Sequence, residues 1–382
     1  MSSSEDVVRP DDSASLGDRL AGRTLSLVDV ASVSRHESPI LASIRGALPS
    51  SLQVLDDVDS VLFAVPHRRA GAPFVVLCGH VDTVPIASNV PGSIEGGAVL
   101  GRGASDMKGA LAVMLELAHQ LDERPGTCDV GLLFFGREEL PYAESALQPL
   151  FDRCPQASAI DLAIVMEPTD NTIEVGCLGN LNATVVVTGR AAHSARPWLG
   201  DNAIHRAISA LAPLADLPAR EVVIGGLTFH EVASVTTIEG GVAANVIPDR
   251  VEARVNYRYA PGHTQAEAEA RLRELLAMAE VDVRIDGNAP PGPVSVRNPL
   301  VTRLRGAGDL PLGPKQAWTP VAEFAAAGVD AINFGPGDPQ YAHRDDERVE
   351  VRALVRSLEV LRAFLQLEPA AGRGGKEGRP TT

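Results

Sequence analysis

The 382-residue chain has no C-x-x-C pair; its four cysteines, Cys78, Cys128, Cys154 and Cys177, stand far apart. That spacing excludes a zinc knuckle and a redox dithiol and suits a reducing compartment. Basic residues are also in short supply. Lys and Arg total 34 against 49 Asp and Glu, and a net charge of −15 argues against nucleic acid as a partner. No apolar run approaches the roughly 18 residues of a membrane span. The opening MSSSEDVVRPDD is acidic where a secretion signal is basic and then apolar. A cytoplasmic protein with no membrane partner is expected. The chain contains no G-x-S-x-G elbow, so a serine hydrolase of that type drops out. GRGASDMKG is not a nucleotide loop, because Lys108 precedes Gly109 where a Ser or Thr would have to stand.

What is present is a globular composition, 45% hydrophobic and 22% charged, long enough for about two domains. The pattern predicts strands at 74–78, 130–135 and 162–166 and a helix at 108–121, an α/β layer with a mostly parallel sheet. From residue 181 the texture changes. Strands at 181–188, 232–239 and 251–259 surround helices at 203–215 and 264–279, which reads as an α+β insert. A Gly/Pro-rich stretch at 287–299 follows, then a strand at 331–334 and a terminal helix at 352–367. The expected division is a discontinuous first domain, 17–180 with 290–368, an inserted domain at 181–289, and disordered tails at 1–16 and 369–382.

Acidic and histidine residues fall at the ends of the predicted strands, the edge where α/β sheets bind ligands. Strand FVVLC runs into GHVDTVP with His80 and Asp82, which face the same way if the strand continues. GRGASDMKG supplies Asp106, and strand LAIVM ends at Glu167. VGLLFF runs into GREEL with Glu138 and Glu139, which face apart if extended. A late loop, FGPGDPQYAH, delivers His343. Any one of these alone reads as a hydrogen-bonded or solvated residue. Together, so many carboxylates at one edge would repel one another unless cations were present, and two imidazoles among them suit a pair of divalent ions such as Zn²⁺.

These motifs, with VMEPT, resemble the co-catalytic zinc peptidase and deacylase family that includes succinyl-diaminopimelate desuccinylase, acetylornithine deacetylase, aminoacylase and glutamate carboxypeptidase. GCLGNL, AAHSARPWLGDNAIH, IEGGVAANVIPD and VNYRYAPG are similar to the actinobacterial desuccinylase type. The resemblance implies a di-zinc aminopeptidase-like catalytic domain and a ferredoxin-like lid and dimerisation domain. It implies two Zn²⁺, with Co²⁺ as a substitute: His80 and Glu167 on one, Glu139 and His343 on the other, Asp106 bridging, and the Asp106–Met107 peptide cis. Asp82 would hold the far nitrogen of His80, and Glu138 would be the general base for a water activated by the metals. His193 would act across a homodimer on the oxyanion, with Asn245 nearby, and Arg258, Arg196 and Thr319 would contact substrate. The reaction implied is cleavage of N-succinyl-LL-2,6-diaminopimelate, in lysine biosynthesis. Two positions depart from the pattern: Pro320 stands where an acid is usual and Glu323 where an arginine is. A lost guanidinium and a gained carboxylate disfavour a dicarboxylic acyl group, unless Glu323 sits on the outer face of its helix. Another N-acyl amino acid, a peptide or a specialised-metabolite intermediate is the alternative substrate.

Overall fold

The computed structural model describes residues 15–276 and 281–367. Its centre is an eight-stranded mixed sheet in the order Gln53–Asp56, Val61–Val65, Asp129–Phe135, Phe74–His80, Leu162–Val165, Ala331–Asn333, Ile173–Val175, Leu312–Pro314. Phe74–His80 pairs in parallel with Asp129–Phe135 and Leu162–Val165, and Leu162–Val165 in parallel with Ala331–Asn333. The mostly parallel expectation therefore holds, with antiparallel pairings at the Val61–Val65 end and between Ala331–Asn333 and Ile173–Val175. The central strands read as unbroken apolar runs because both faces are covered. Val75 and Leu77 enter one core, with helices Leu16–Val28, Gly109–Glu123 and Val351–Phe364, while Val76 and Cys78 enter another on the opposite face.

After Ile173–Val175 the chain builds a five-stranded antiparallel sheet, Arg220–Ile224, Leu227–Gly240, Arg250–Tyr259, Gly179–Thr188, Asp282–Ala289. Helices Ala203–Ala215 and Gln265–Leu275 cover it through a separate apolar cluster of Leu181, Val185, Ala207, Leu211, Val255 and Leu272. The helix predicted to reach 279 ends at Leu275, and 277–280 lie outside the described residues. The expected N-terminal tail of 1–16 is shorter by its last residues: Ser15 caps a helix that begins at Leu16, its hydroxyl accepting from the Asp18 N–H. Residues 1–14 and 368–382 lie outside the described residues. No helix among the described residues is long and apolar enough to cross a membrane.

Candidate metal centre

The parallel strands end together, and the loops leaving them bring in the polar residues. Strand Phe74–His80 stops at His80, whose ring is 1% exposed. Asp106 follows a turn through Gly103 (φ 83°) and precedes helix Gly109–Glu123; its peptide bond to Met107 is cis. Glu167 leaves strand Leu162–Val165 two residues on. The glycines of FGPGDP are dictated by close approach. A Cβ at Gly335 would lie 2.3 Å from the Met166 carbonyl oxygen, and one at Gly337 would lie 2.2 Å from that of Ser105. Only bare backbone lets this loop nest against the Asp106 and Glu167 loops and carry His343 to them.

The two oxygens of Asp106 point to different partners. Oδ1 is 3.0 Å from His80 Nε2, which is itself 4.0 Å from Glu167 Oε1. Oδ2 is 3.4 Å from His343 Nε2, which lies 2.9 Å from Glu139 Oε1. Ligand atoms of His80, Asp106 and Glu167 all fall within 4.8 Å of one another, and so do those of Asp106, Glu139 and His343. Asp106 is common to both sets. A third set, His80, Glu138 and Glu139, meets the same limit.

Two expectations are corrected here. Glu138 and Glu139 do not face apart, because the strand ends at Phe135 and Arg137, at φ 63°, turns the chain so that both carboxylates enter the cluster. That left-handed residue is held by a fork of its guanidinium on Asp59, at 2.9 and 2.8 Å. Nor does the Asp82 carboxylate bond His80. Nδ1 of His80 meets the Asp82 backbone carbonyl at 2.9 Å, while the carboxylate, 3.7 Å away, accepts the N–H groups of Glu138 and Glu139 at 3.1 and 3.2 Å and the Ser34 hydroxyl at 2.8 Å. With the strand over at His80, Asp82 no longer alternates with it and instead anchors the GREEL turn.

Crowding shifts the acidities. Burial, then the Glu167 charge, pushes Glu138 well above the usual carboxylate range. Burial, then Asp106, raises Glu167 to about 7. Burial opposes ionisation of Asp106 too, but hydrogen bonds from His343 and His80 prevail and lower it. His343 rises to about 10 through its bonds to Asp106 and Glu139. His80 is raised as well: burial works against its charged form, and Asp106 and Glu167 outweigh it. With its four carboxylates ionised the cluster stays anionic even if both rings are protonated, and Oε1 of Glu167 is buried with no hydrogen-bond partner. Such a donor set fits two divalent cations sharing Asp106.

The remaining candidates do not join this cluster. His193 and Asn245 sit together on a two-stranded ribbon, Ala192–His193 against Val246–Ile247, with the Ser194 N–H donating to the Asn245 carbonyl at 2.9 Å. Arg196 lies exposed just past the ribbon, before the turn Pro197–Leu199. Arg258, half-buried, donates through Nε to Asn256 at 2.9 Å and meets no carboxylate of the described residues. Thr319 is buried with its hydroxyl unpartnered, and its carbonyl accepts from the Cys177 thiol. The outer-face position for Glu323 is wrong. Glu323 is 1% exposed, its Oε1 has no hydrogen-bond partner, and burial raises it to about 7; Pro320 stands at the N-cap of its helix Val321–Ala326. Sequence reasoning missed Glu347, which accepts the Asp106 N–H, and Arg102, which is paired with it. HRDDER reads as a solvated charge run, so nothing in its pattern singles out Glu347.

Comparison with known proteins gives a consistent result. The description "Peptidase family M20/M25/M40" matches residues 76–367. A putative succinyl-diaminopimelate desuccinylase of Mycobacterium tuberculosis is 39% identical over 345 residues, 90% of this chain and 96% of that protein. The succinyl-diaminopimelate desuccinylase of Corynebacterium glutamicum is 36% identical over 362 residues, 92% and 96% respectively. Among solved structures, a dinuclear metal-binding peptidase of Bacillus subtilis superposes with a TM-score of 0.65 at 16% identity, over 91% of this chain and 97% of that one.

Proposed function

Since the chain belongs to the peptidase family M20/M25/M40, we propose that it hydrolyses the amide of an N-acyl amino acid, N-succinyl-LL-2,6-diaminopimelate, releasing succinate and the free diamine in the lysine pathway. The observation that carries the reaction type is Asp106 turning one oxygen to each of two His/Glu pairs. His80 and Glu167 would hold one ion, Glu139 and His343 the other, with Zn²⁺ the cation this set suits and Co²⁺ its substitute. When bound, two such ions lower the pKa of water and polarise a carbonyl.

The proton work falls to Glu138. It sits beside the ligands without being needed by either Asp106 set, and burial holds on to its proton. It takes the proton of the attacking water and returns it to the leaving nitrogen. Asp82 anchors the base and its neighbour through their backbone N–H groups. Arg258, with no internal acid, offers its fork to a substrate carboxylate. Thr319, with a free buried hydroxyl, is a second substrate contact.

His193 supplies the donor for the oxyanion. Its Nδ1 accepts the Ala195 N–H at 3.0 Å, so the proton is on Nε2, and the ring is exposed. It acts on the partner's site in a homodimer built from the second domain. Supporting this, among the described residues, 232–240 of strand Leu227–Gly240 pair only with Arg250–Tyr259, which leaves one edge open beside exposed Ile238, Val242 and Ile208. His193→Ala should lower kcat by about 10²-fold with metal content unchanged. Mixing it with Glu138→Ala, after subunit exchange, should restore activity that neither has alone; mixtures no better than the sum would place His193 outside the partner's site.

Amine release from N-succinyl, N-acetyl and dipeptide substrates, with Zn²⁺ and with Co²⁺, tests the substrate. The succinyl compound should give the highest kcat/KM. Preference for a monocarboxylic acyl group or a dipeptide would replace it.

A further inference from the structure

Asp106 and His343 come from segments more than 230 residues apart, and His343 has little packing to hold it. Its side chain is 52% exposed and its backbone lies at φ 66°. Beside the ladder of Arg348–Glu350 on Ala98–Leu100, a buried ion pair ties these segments together. Glu347, four residues after His343, is 1% exposed, and Arg102, four residues before Asp106, is 4% exposed. Oε2 of Glu347 accepts from Arg102 Nη1 at 2.9 Å. Oε1 accepts two consecutive peptide N–H groups, of Ser105 at 3.2 Å and Asp106 at 3.1 Å. Arg102 Nη1 also donates to the Arg344 carbonyl at 3.2 Å, next to His343, and the Gly101 N–H bonds the Glu347 carbonyl at 2.9 Å. Each member of the pair thus grips the backbone of the opposite segment.

We infer that the Arg102–Glu347 pair is a positioning device that fixes Asp106 and His343 relative to each other and so sets the affinity of the metal centre. A buried ion pair adds little net stability, since desolvation consumes most of its attraction, and a packed apolar pair would brace the loops as well. An apolar pair could not accept the N–H of Asp106 itself. Hydrogen bonds behind metal ligands typically alter affinity 10–100-fold through ligand orientation. The inference rests on the reading that Asp106 and His343 are ligands.

The test is titration of metal-free protein with Zn²⁺ against a chromophoric chelator, for wild type, Glu347→Ala and Glu347→Gln, alongside melting of the metal-free proteins. Glu347→Ala should bind about 10–100-fold more weakly, with kcat reduced and KM little changed. Glu347→Gln, which keeps an acceptor for the two N–H groups, should fall between. If Glu347→Ala does not fold, the Gln variant carries the comparison. Wild-type affinity in the folded variants, whatever their melting temperatures, would reduce the pair to a structural brace and overturn the inference. Failure of the wild type itself to bind two ions would overturn the reading of the site instead.

Discussion

Glu138→Ala is expected to lower kcat by about 10³-fold, within the range for loss of a general acid–base, while both metal ions stay bound. The carboxylate is enclosed by Glu167, Glu139 and Asp106, and burial with those charges favours its protonated form. Bound cations would act in the opposite direction, so in the proposed mechanism Glu138 would be ready to accept a proton and, once protonated, would be a neutral acid able to give it up. The two roles need one group near its tipping point. Glu138→Gln tests this cleanly: it keeps the shape and hydrogen-bonding capacity but cannot exchange the proton, and should be nearly as inactive as alanine. Because His80, Glu138 and Glu139 also lie close enough to share an ion, metal content decides between the two roles. Loss of an ion in Glu138→Ala would make it a ligand. Retention with near-full rate would make it neither.

Asp106→Ala should be equally inactive for a different reason. In the proposed site His80 with Glu167 and His343 with Glu139 would each supply two ligands, and the third in each set would be an oxygen of the same carboxylate. Removing it weakens both sites at once and takes away the charge that holds both imidazoles. Glu167→Ala touches only one set, so it should weaken one ion and spare the other. The asymmetry between these variants follows from the sharing and from nothing else in the site.

Much of this centre was legible before any coordinates, because ligand-bearing residues at the ends of parallel strands follow from the α/β layer itself. His80 ends a strand, Glu139 and Glu167 follow strands closely, Asp106 follows the Gly103 turn, and His343 comes from the loop beyond Ala331–Asn333. What pattern could not show is how chain ends turn. Period-two alternation stops with the strand, so Asp82 and the Glu138–Glu139 pair, read as extended, were aimed wrongly; the turn at Arg137 depends on Asp59, 78 residues away. Three-residue strands such as Ile173–Val175 and Ala331–Asn333 carry too little pattern to fix their place in the sheet. The burial of Glu347 and Glu323 is not legible for one reason: nothing in a polar or amphipathic run marks a charged residue as enclosed, and only tertiary neighbours bring Arg102 to Glu347 or cover Glu323.

The most direct check on the shared carboxylate is the number of divalent ions bound at equilibrium per chain, measured on wild type, Asp106→Ala and Glu167→Ala after exhaustive dialysis against buffered Zn²⁺. Two, none and one are the values expected, with activity lost on chelation and recovered on metal return. A wild type that holds a single ion, or an Asp106 variant that keeps both, would contradict it.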